Sequence, residues 1–237
     1  MLKPNPFQKP LRCVINLGNA LLAKSQDGAV TGVSVDLANA LAKRLETDVS
    51  LLVVENAREA VSALENKTAD VGFLAVDPLR ANVLQFTRPY LEIEGGYLVR
   101  DDSTITSIDQ VDQQGHSVVA GLGSAYDLHL SRHLKHAQLL KAESSKEVVN
   151  TFLRTNATVA AGVKAQLRSD LQKHNQLRLL PGRFMVIEQA MAIHKDAGKN
   201  ALILVDGFLE NCLKGGLLEY AMHRHGVTGA SLVKLTS

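Results

Sequence analysis

Arg80 has the type and position of a residue that binds an anionic ligand. It follows an apolar stretch, Asp70–Val76, that has the pattern of a buried strand, and it comes shortly after Pro78. In α/β folds, ligands bind at the carboxyl ends of strands. A guanidinium can hold a carboxylate with two parallel charge-assisted hydrogen bonds. We therefore predict that Arg80 binds a ligand carboxylate, the alternative being an ion pair with a surface acid.

Gly123 and Ser124 form a second candidate site for an anion, because they precede a stretch with the pattern of a helix. Backbone N–H groups, a hydroxyl and the positive end of a helix dipole would meet there. The alternative is an ordinary helix N-cap, which Ser124 could fill by itself. A dinucleotide-binding Gly-x-Gly-x-x-Gly motif is not formed, because Tyr126 stands where the last glycine is needed.

The bulk composition argues against several classes of partner. The 237 residues carry a net charge of +2 without a concentrated basic run, so no nucleic acid is expected. Aromatic residues make up 4% of the chain and Trp is absent, which argues against aromatic sugar cages. No apolar run approaches ~18 residues, so the protein is not expected to be membrane-inserted. Met1–Pro10 lacks the apolar core of a signal peptide, so we expect either a cytoplasmic protein or one whose leader was removed.

The remaining reactive side chains do not suggest catalysis or metal binding. His129, His133 and His136 have helical spacing, but no nearby Cys or acidic cluster completes a zinc site, so a solvated basic face is expected. Cys13 is predicted to be a buried strand residue, and the redox state of Cys13 and Cys212 is left open. No nucleophile elbow, phosphate-binding loop or metalloprotease motif is present, so neither a cofactor nor an enzyme is expected.

Two further groups of side chains are expected to have structural rather than functional roles. Leu37, Leu41 and Leu45 have the spacing of the core-facing stripe of a helix. Arg88 and Arg100 are expected to lie on solvated faces.

Strands and helices alternate along the chain in two series, which indicates an α/β fold with parallel sheets covered on both faces. We predict one discontinuous lobe, residues 1–98 and 190–237, and a second lobe, residues 99–189. Extended segments near Val99 and Gln189 would form a two-strand hinge, an architecture for a cleft that closes on a ligand. The predicted strands are 12–17, 49–54, 70–76, 117–120, 138–141, 158–163, 177–180 and 189–194, and the predicted helices are 36–45, 57–66, 125–134, 145–154, 164–174, 200–214 and 217–225.

Five segments, spread in order from about Leu11 to Gly226, resemble motifs of the polar amino-acid solute-binding proteins of bacterial ABC transporters (family 3). The most specific pair couples an Arg to a following Phe-Ser/Thr-x-Pro-Tyr. The segments are Asp70-Val-Gly-Phe-Leu-Ala-Val-Asp-Pro-Leu-Arg80, Leu84-Gln-Phe-Thr-Arg-Pro-Tyr90, Gly32-Val-Ser-Val-Asp-Leu-Ala38, Gly121-Leu-Gly-Ser124 and Gln189-Ala-Met-Ala-Ile-His-Lys195.

The resemblance implies a two-lobed periplasmic-binding-protein-like (type II) fold and a role in transport. Arg80 of the first lobe and Gly123 with Ser124 of the second would bind the same ligand carboxylate. The protein would be a monomer that delivers its ligand to an ABC permease. It would be periplasmic, with a cytoplasmic location as the alternative.

Several positions depart from the family pattern for an α-amino acid site. Val163 stands where an acid usually pairs with the ammonium, and a buried ammonium without that acid would lose several kcal/mol. Asn19 replaces an aromatic lid, and Phe73 and Ala75 replace serine-rich contacts. We therefore expect a carboxylate ligand that lacks an α-ammonium, or one whose ammonium is bound elsewhere, with Glu188 as the best substitute acid.

The sequence is also compatible with two other functions. The first is an enzyme on the same scaffold, resembling cyclohexadienyl dehydratase, for which Glu188 is the one pocket acid that can be nominated. The second is a cytoplasmic ligand sensor, suggested by the lack of a leader in Met1–Pro10.

Overall fold

The structure, a computed structural model, describes residues 6, 7 and 9–234. Most of the segment on which the leader expectation rests, residues 1–5 and 8, lies outside the described residues. The chain divides into two compact units, unit 1 (Met1–Glu92 and Glu188–Ser237) and unit 2 (Ile93–Ile187). Both passages of the chain from one unit to the other fall inside strands.

Unit 1 is a sheet with helices, in the strand order β4-β1-β5-β11-β6, and β12 also pairs with β6. Strand β1 is parallel to both β4 and β5, whereas β11 is antiparallel to β5. The separate hairpin β2–β3 turns at Asp27-Gly28, both of which have positive φ angles. The elements are β1 (Leu11–Asn16), β2 (Lys24–Gln26), β3 (Ala29–Thr31), α1 (Val33–Arg44), β4 (Val49–Val54), α2 (Ala57–Glu65), β5 (Val71–Ala75), the first part of β6 (Leu84–Arg100), the end of β11 (Met185–His194), α6 (Gly198–Lys214), α7 (Leu217–Arg224) and β12 (Ala230–Leu232).

Unit 2 repeats this plan in the strand order β6-β9-β7-β8, and β10 also pairs with β6. Strand β7 is parallel to both β8 and β9, whereas β9 is antiparallel to β6. The unit contains the second part of β6 and the beginning of β11, together with β7 (Ser117–Gly121), α3 (Ala125–His133), β8 (Gln138–Ala142), α4 (Val148–Arg154), β9 (Val159–Val163), α5 (Lys164–Asp170) and β10 (Leu177–Leu179).

Each unit has its own apolar core. In unit 1, Val14, Leu64 and Leu74 are among the side chains that pack between the sheet and α2. In unit 2, Val119 and Phe152 pack between the sheet and α4. Burial of a side chain of this size contributes about 1.5–3 kcal/mol. All five residues of β5 are buried, as is typical of a strand covered on both faces.

The expectations for the core residues are largely confirmed. Cys13 lies in β1 and is fully buried, and desolvation together with the charge of Asp70 raises the pKa of its thiol to about 12. Both cysteines are free. Leu37 and Leu41 are buried on α1, while Leu45 lies just beyond the end of the helix and is partly buried.

The sheets are mixed rather than purely parallel, which differs from the sequence expectation. The unexpected element is β6, a strand of 17 residues that contains Pro89, Gly95 and Gly96. These residue types normally interrupt a strand. Here the glycines make room for close packing: a Cβ atom at Gly95 would lie 2.7 Å from the Tyr126 ring, and one at Gly96 would lie 3.0 Å from the Lys164 side chain.

Several element ends also differ from prediction. Helix α1 begins at Val33, three residues early, because Gly32 caps it with a φ of 135° that favours glycine. Helix α5 ends at Asp170 rather than at residue 174, and residues 230–232 form a strand that is not among the predicted ones. No helix among residues 6–7 and 9–234 is both long and apolar enough to span a membrane.

Candidate functional site

One edge of the unit 1 sheet gathers most of the predicted ligand residues of that unit. Because β1 and β5 are parallel, their carboxyl ends lie at the same edge, and the antiparallel β11 runs from this edge into unit 1. Asn19 follows β1, Ala75 ends β5, and Glu188 lies in β11 beside the end of β5. The backbone N–H of Val76 donates to the carbonyl of Glu188 at 2.8 Å.

Arg80 lies at the same edge and is 5% exposed. It begins a short 3-10 turn, Arg80–Asn82, after the end of β5. Its NH1 group donates to the Ala75 carbonyl at 2.8 Å, which directs the guanidinium back toward the strand end. Burial lowers the pKa of Arg80 to about 10, and the charge of Asp77 opposes this shift. The guanidinium therefore stays protonated at neutral pH.

Asp77, which is not among the residues predicted from the sequence, supports Arg80 electrostatically. It is 3% exposed, and its Oδ1 accepts the backbone N–H of Leu79 at 2.8 Å, which forms the turn that leads to Arg80. An Asp before a Pro is a recognised turn signal, so its structural role was readable from the sequence. Its electrostatic role depends on both side chains being buried together.

The other predicted residues of unit 1 have different environments. Phe73 lies inside β5 opposite Met191 and is 4% exposed. The Asn19 carbonyl accepts the N–H groups of Leu22 and Ala23, and its side-chain Oδ1 is buried without a hydrogen-bond partner among the described residues. The Glu188 side chain is exposed. Phe73 is thus part of the core, whereas Asn19 and Glu188 lie toward the edge of the sheet.

In unit 2, Gly123 and Ser124 lie at the carboxyl end of β7 and are both bonded to Asp127. The Gly123 N–H donates to Asp127 Oδ2 at 2.8 Å, and the Ser124 Oγ accepts the Asp127 N–H at 3.1 Å. Ser124 is thus the N-cap of α3, as the alternative interpretation of this turn expects. The cap and a ligand contact are compatible, because the Ser124 hydroxyl is still able to donate a hydrogen bond.

Asp127 is a buried acid that the sequence analysis missed, and its side chain is 3% exposed. Its Oδ1 accepts from the Ser131 hydroxyl at 3.2 Å and lies 3.2 Å from the Lys141 Nζ at the end of β8. Ser124-x-x-Asp127 is a capping pattern that could have been recognised before the helix. The pairing with Lys141 depends on the tertiary structure.

Val163 ends β9 at the same edge of unit 2 as Gly121, because β7 and β9 are parallel. It is partly buried and pairs with Gly95 of β6. The adjacent Lys164 donates to Glu94 at 3.0 Å, and Arg183 donates to the other oxygen of Glu94 at 2.9 Å. An apolar residue therefore lies beside two cations and one acid.

Arg88 and Arg100 differ from the solvated faces expected for them. Arg88 makes bonds of 3.1 and 2.7 Å to Asp206 Oδ2 and also lies 2.9 Å from Glu210, so it ties β6 to α6. Arg100 donates to the Ala157 carbonyl and lies 4.5 Å from the centre of the Phe152 ring. Their partners are far away in sequence, so local patterns do not reveal them.

The histidine group is split by the end of α3. The rings of His129 and His133 stack with their centres 4.0 Å apart, whereas His136 lies beyond the helix and donates its backbone N–H to Asp112. Across the described ranges, 6–7 and 9–234, no group of three or more His, Cys, Asp or Glu side chains is placed to hold a metal ion.

Known proteins resemble this chain in sequence and in fold. The amino-acid-binding protein AabA of Dichelobacter nodosus is 24% identical over 156 residues, which is 65% of this chain and 62% of that protein. The chain thus matches less than two thirds of the length of this curated relative.

Two solved structures share the fold. One is a binding component assigned to an ABC transporter of Wolinella succinogenes, complexed with lysine, with a TM-score of 0.77, 20% identity, and coverage of 90% of this chain and 94% of that one. The other is AncCDT-1, an ancestral amino-acid-binding protein described as a precursor of cyclohexadienyl dehydratase, with a TM-score of 0.76, 20% identity, and coverage of 90% and 94%. The mixed α/β fold is therefore that of type II periplasmic binding proteins.

The family comparison agrees with the motifs. The model for bacterial extracellular solute-binding proteins, family 3, matches residues 18–218, which include the Arg80 turn, the Gly123–Ser124 turn and both strands that connect the units. The chain belongs to the bacterial extracellular solute-binding proteins of family 3.

Proposed function

We propose that this protein captures a small carboxylate-bearing ligand for import by an ABC transporter and that Arg80 binds the carboxylate. The observation that carries the proposal is the burial of Arg80, at 5% exposure, at the carboxyl end of β5. This is the edge at which α/β sheets bind ligands. Membership of a solute-binding family supports the same function.

The electrostatics of Arg80 favour an anionic ligand. A buried cation loses hydration free energy, which an anion with well-aligned hydrogen bonds can restore. The NH1 group of Arg80 donates to the Ala75 carbonyl, and the planar fork of a guanidinium matches the two oxygens of a carboxylate. Because its pKa is about 10, this cation is present throughout the physiological pH range.

The remaining predicted contacts are part of the proposal. Gly123 and Ser124 are proposed as ligand contacts of unit 2, and Asn19, Phe73, Ala75 and Val163 as residues that line the ligand site. Val163 offers no charge to an α-ammonium group, so we propose a ligand without one, unless Glu188 supplies the acid. The exposure of the Glu188 side chain leaves it accessible to a ligand.

The cellular setting is proposed from the family. A periplasmic monomer would pass its ligand to a membrane permease, and units 1 and 2 are proposed to be the two lobes of the binding protein. The strands that connect them are proposed as the hinge.

Isothermal titration calorimetry of the intact chain tests the proposal with L-amino acids, 2-oxo acids and 2-hydroxy acids. We expect a carboxylate to bind and Arg80→Lys to weaken its affinity at least about tenfold, because a lysine cannot form the two parallel bonds. Tight binding of a plain L-amino acid would refute the inference about the missing ammonium.

Arg88→Lys is the matched control, because Arg88 is committed to Asp206 and Glu210. It should leave ligand affinity unchanged. Equal losses in both variants, or no carboxylate binding by a protein whose thermal unfolding shows it to be folded, would contradict the proposed function.

A dehydratase is the alternative function, and it rests on fold similarity to AncCDT-1 at 20% identity. It would require a general acid or base, for which Glu188 is the candidate. Turnover of prephenate or arogenate in an absorbance assay, lost in Glu188→Gln, would favour this alternative.

A further inference from the structure

Three charged side chains of unit 2 meet beside Val163. Glu94 of β6 places one carboxylate oxygen 3.0 Å from the Lys164 Nζ and the other 2.9 Å from the Arg183 NH1. We call Glu94, Lys164 and Arg183 the charge trio. Two positive charges against one negative charge leave the trio with one net positive charge.

The backbone positions the trio at the same edge as the Gly123–Ser124 turn. Gly95 pairs with Val163, so Glu94 lies next to the point where β9 passes into α5. The side chain of Lys164 packs over Gly96, where a Cβ atom would lie 3.0 Å from its Cγ. Lys164 is therefore held in place along its stem and is only 22% exposed.

The next ion pair along this edge does not cancel the excess charge. Asp127 and Lys141 are 3.2 Å apart and carry no net charge together. The two cations of the trio also lower the pKa of Glu94 through their hydrogen bonds, so its charge persists under mildly acidic conditions. Val163 adds an apolar surface beside these groups.

We propose that the charge trio recognises an anionic group of the ligand, so that the ligand carries a second acidic group besides the carboxylate bound by Arg80. This rests on the proposed function, because it describes the ligand of the same protein. The substrate class is a small dicarboxylate or a similar dianion.

The sign of the charge is the physical basis for this specificity. An ammonium group near the trio would be repelled by two cations and would have to compete with both for Glu94. An anionic group would gain from the excess positive charge, and both Lys164 and Arg183 can donate further hydrogen bonds. Binding should weaken with added salt, because the cations are partly exposed.

The test is calorimetry of the full chain with ligand sets that differ only in the group at one end. The sets are butyrate, succinate and 4-aminobutyrate, and then valerate, glutarate and 5-aminovalerate. We expect the dicarboxylate in the best-binding set to bind at least about tenfold more tightly than the other two members. A monocarboxylate or amino acid that binds equally well would overturn the inference.

Variants that remove a positive or a negative charge from the trio should change dicarboxylate affinity in opposite directions. Lys164→Met keeps the packing over Gly96 but removes the charge, and it should weaken dicarboxylate binding about tenfold while changing monocarboxylate binding less than about threefold. Glu94→Gln removes the negative charge and should tighten dicarboxylate binding. A merely structural role would weaken binding in both variants, which would also overturn the inference.

Lys173→Met is the matched control, because Lys173 is an exposed residue of the same unit that pairs with Asp170 at 3.4 Å. It should have no effect. If monocarboxylates and dicarboxylates bind equally and only Arg80→Lys weakens them, the proposed function stands and the inference fails. If no carboxylate of either kind binds, both fail.

Discussion

The arginine side chains of this protein have different roles, which cannot be told apart from the residue type alone. Arg80 is buried beside Asp77, Arg88 bonds to Asp206, and Arg100 lies over Phe152. The position of Arg80 after an apolar strand distinguished it in the sequence. The partners of Arg88 and Arg100 come from distant parts of the chain, so only the folded structure brings them together.

Asp127 is the residue whose loss should most disturb the Gly123–Ser124 turn. Asp127→Ala removes the acceptor for the Gly123 N–H, the Ser131 hydroxyl and the Lys141 ammonium. We expect a loss of about 2–3 kcal/mol in the free energy of unfolding, because three donors lose a buried acceptor, while the Ser124 cap on the backbone N–H of residue 127 remains. Urea unfolding followed by circular dichroism measures it.

Ser131→Ala provides the comparison, since it removes only one of these bonds. It should cost less than about 1 kcal/mol. Two variants of equal stability would show that Asp127 does not organise the turn.

At the scale of the elements, hydrophobic periodicity predicted the helices and strands well, and glycine positions account for much of the disagreement. The Gly32 cap begins α1 early, and Gly95 and Gly96 lie inside β6, where side chains of α3 and α5 approach the strand closely. In a sequence, a glycine can indicate either the end of a helix or strand or a position where a neighbouring element packs closely against the backbone. The neighbouring elements decide which it is.

Helix α6 contains a glycine that no contact requires. Gly207 lies inside α6 with no atom within 4 Å of a built Cβ, so Gly207→Ala should raise the free energy of unfolding by about 0.5–1 kcal/mol. Thermal and urea unfolding are the measurements.

Substitution of Gly216 by alanine should change stability in the opposite direction, although the space around Gly216 is equally open. Its φ of 74° is left-handed, so Gly216→Ala should destabilise the protein by about 1 kcal/mol. If both alanines shift stability in the same direction, backbone conformation is not the deciding factor.

At the scale of the whole molecule, each unit combines a parallel core of three strands with an antiparallel strand next to it. Unit 1 is assembled from the two ends of the chain, whereas unit 2 is one continuous segment. Carboxylates held by hydrogen bonds occur in both units, and they connect stability to pH.

Acid should destabilise the protein through these carboxylates. The Lys164 and Arg183 bonds lower the pKa of Glu94. Burial raises the pKa of Asp206 and Asp112, but bonds from Arg88 and from backbone N–H groups, respectively, outweigh it and lower both values. Groups with a lowered folded pKa stabilise the protein above the unfolded value, and this contribution is lost as the pH falls through the folded value.

We therefore expect the urea midpoint to be highest near neutral pH and to fall below about pH 4. Asp112→Ala should reduce stability at pH 7 and have a smaller effect at pH 3, because the stabilisation from a carboxylate with a lowered folded pKa begins to be lost once the pH falls below its unfolded value. A midpoint that is constant down to pH 3, or an equal effect of the variant at both values, would contradict this account.

The sequence by itself determined the α/β fold, the order of most elements and the family, because hydrophobic periodicity, turn residues and motif order are local properties of the chain. It also identified Arg80 and the Gly123–Ser124 turn as candidates. Only the tertiary structure decided that Asp77 and Arg80 are buried together, that Lys141 pairs with Asp127, and that Glu94, Lys164 and Arg183 meet beside Val163. Burial and these charge pairs are set by strand register and by packing between different elements, so they exist only in the folded chain.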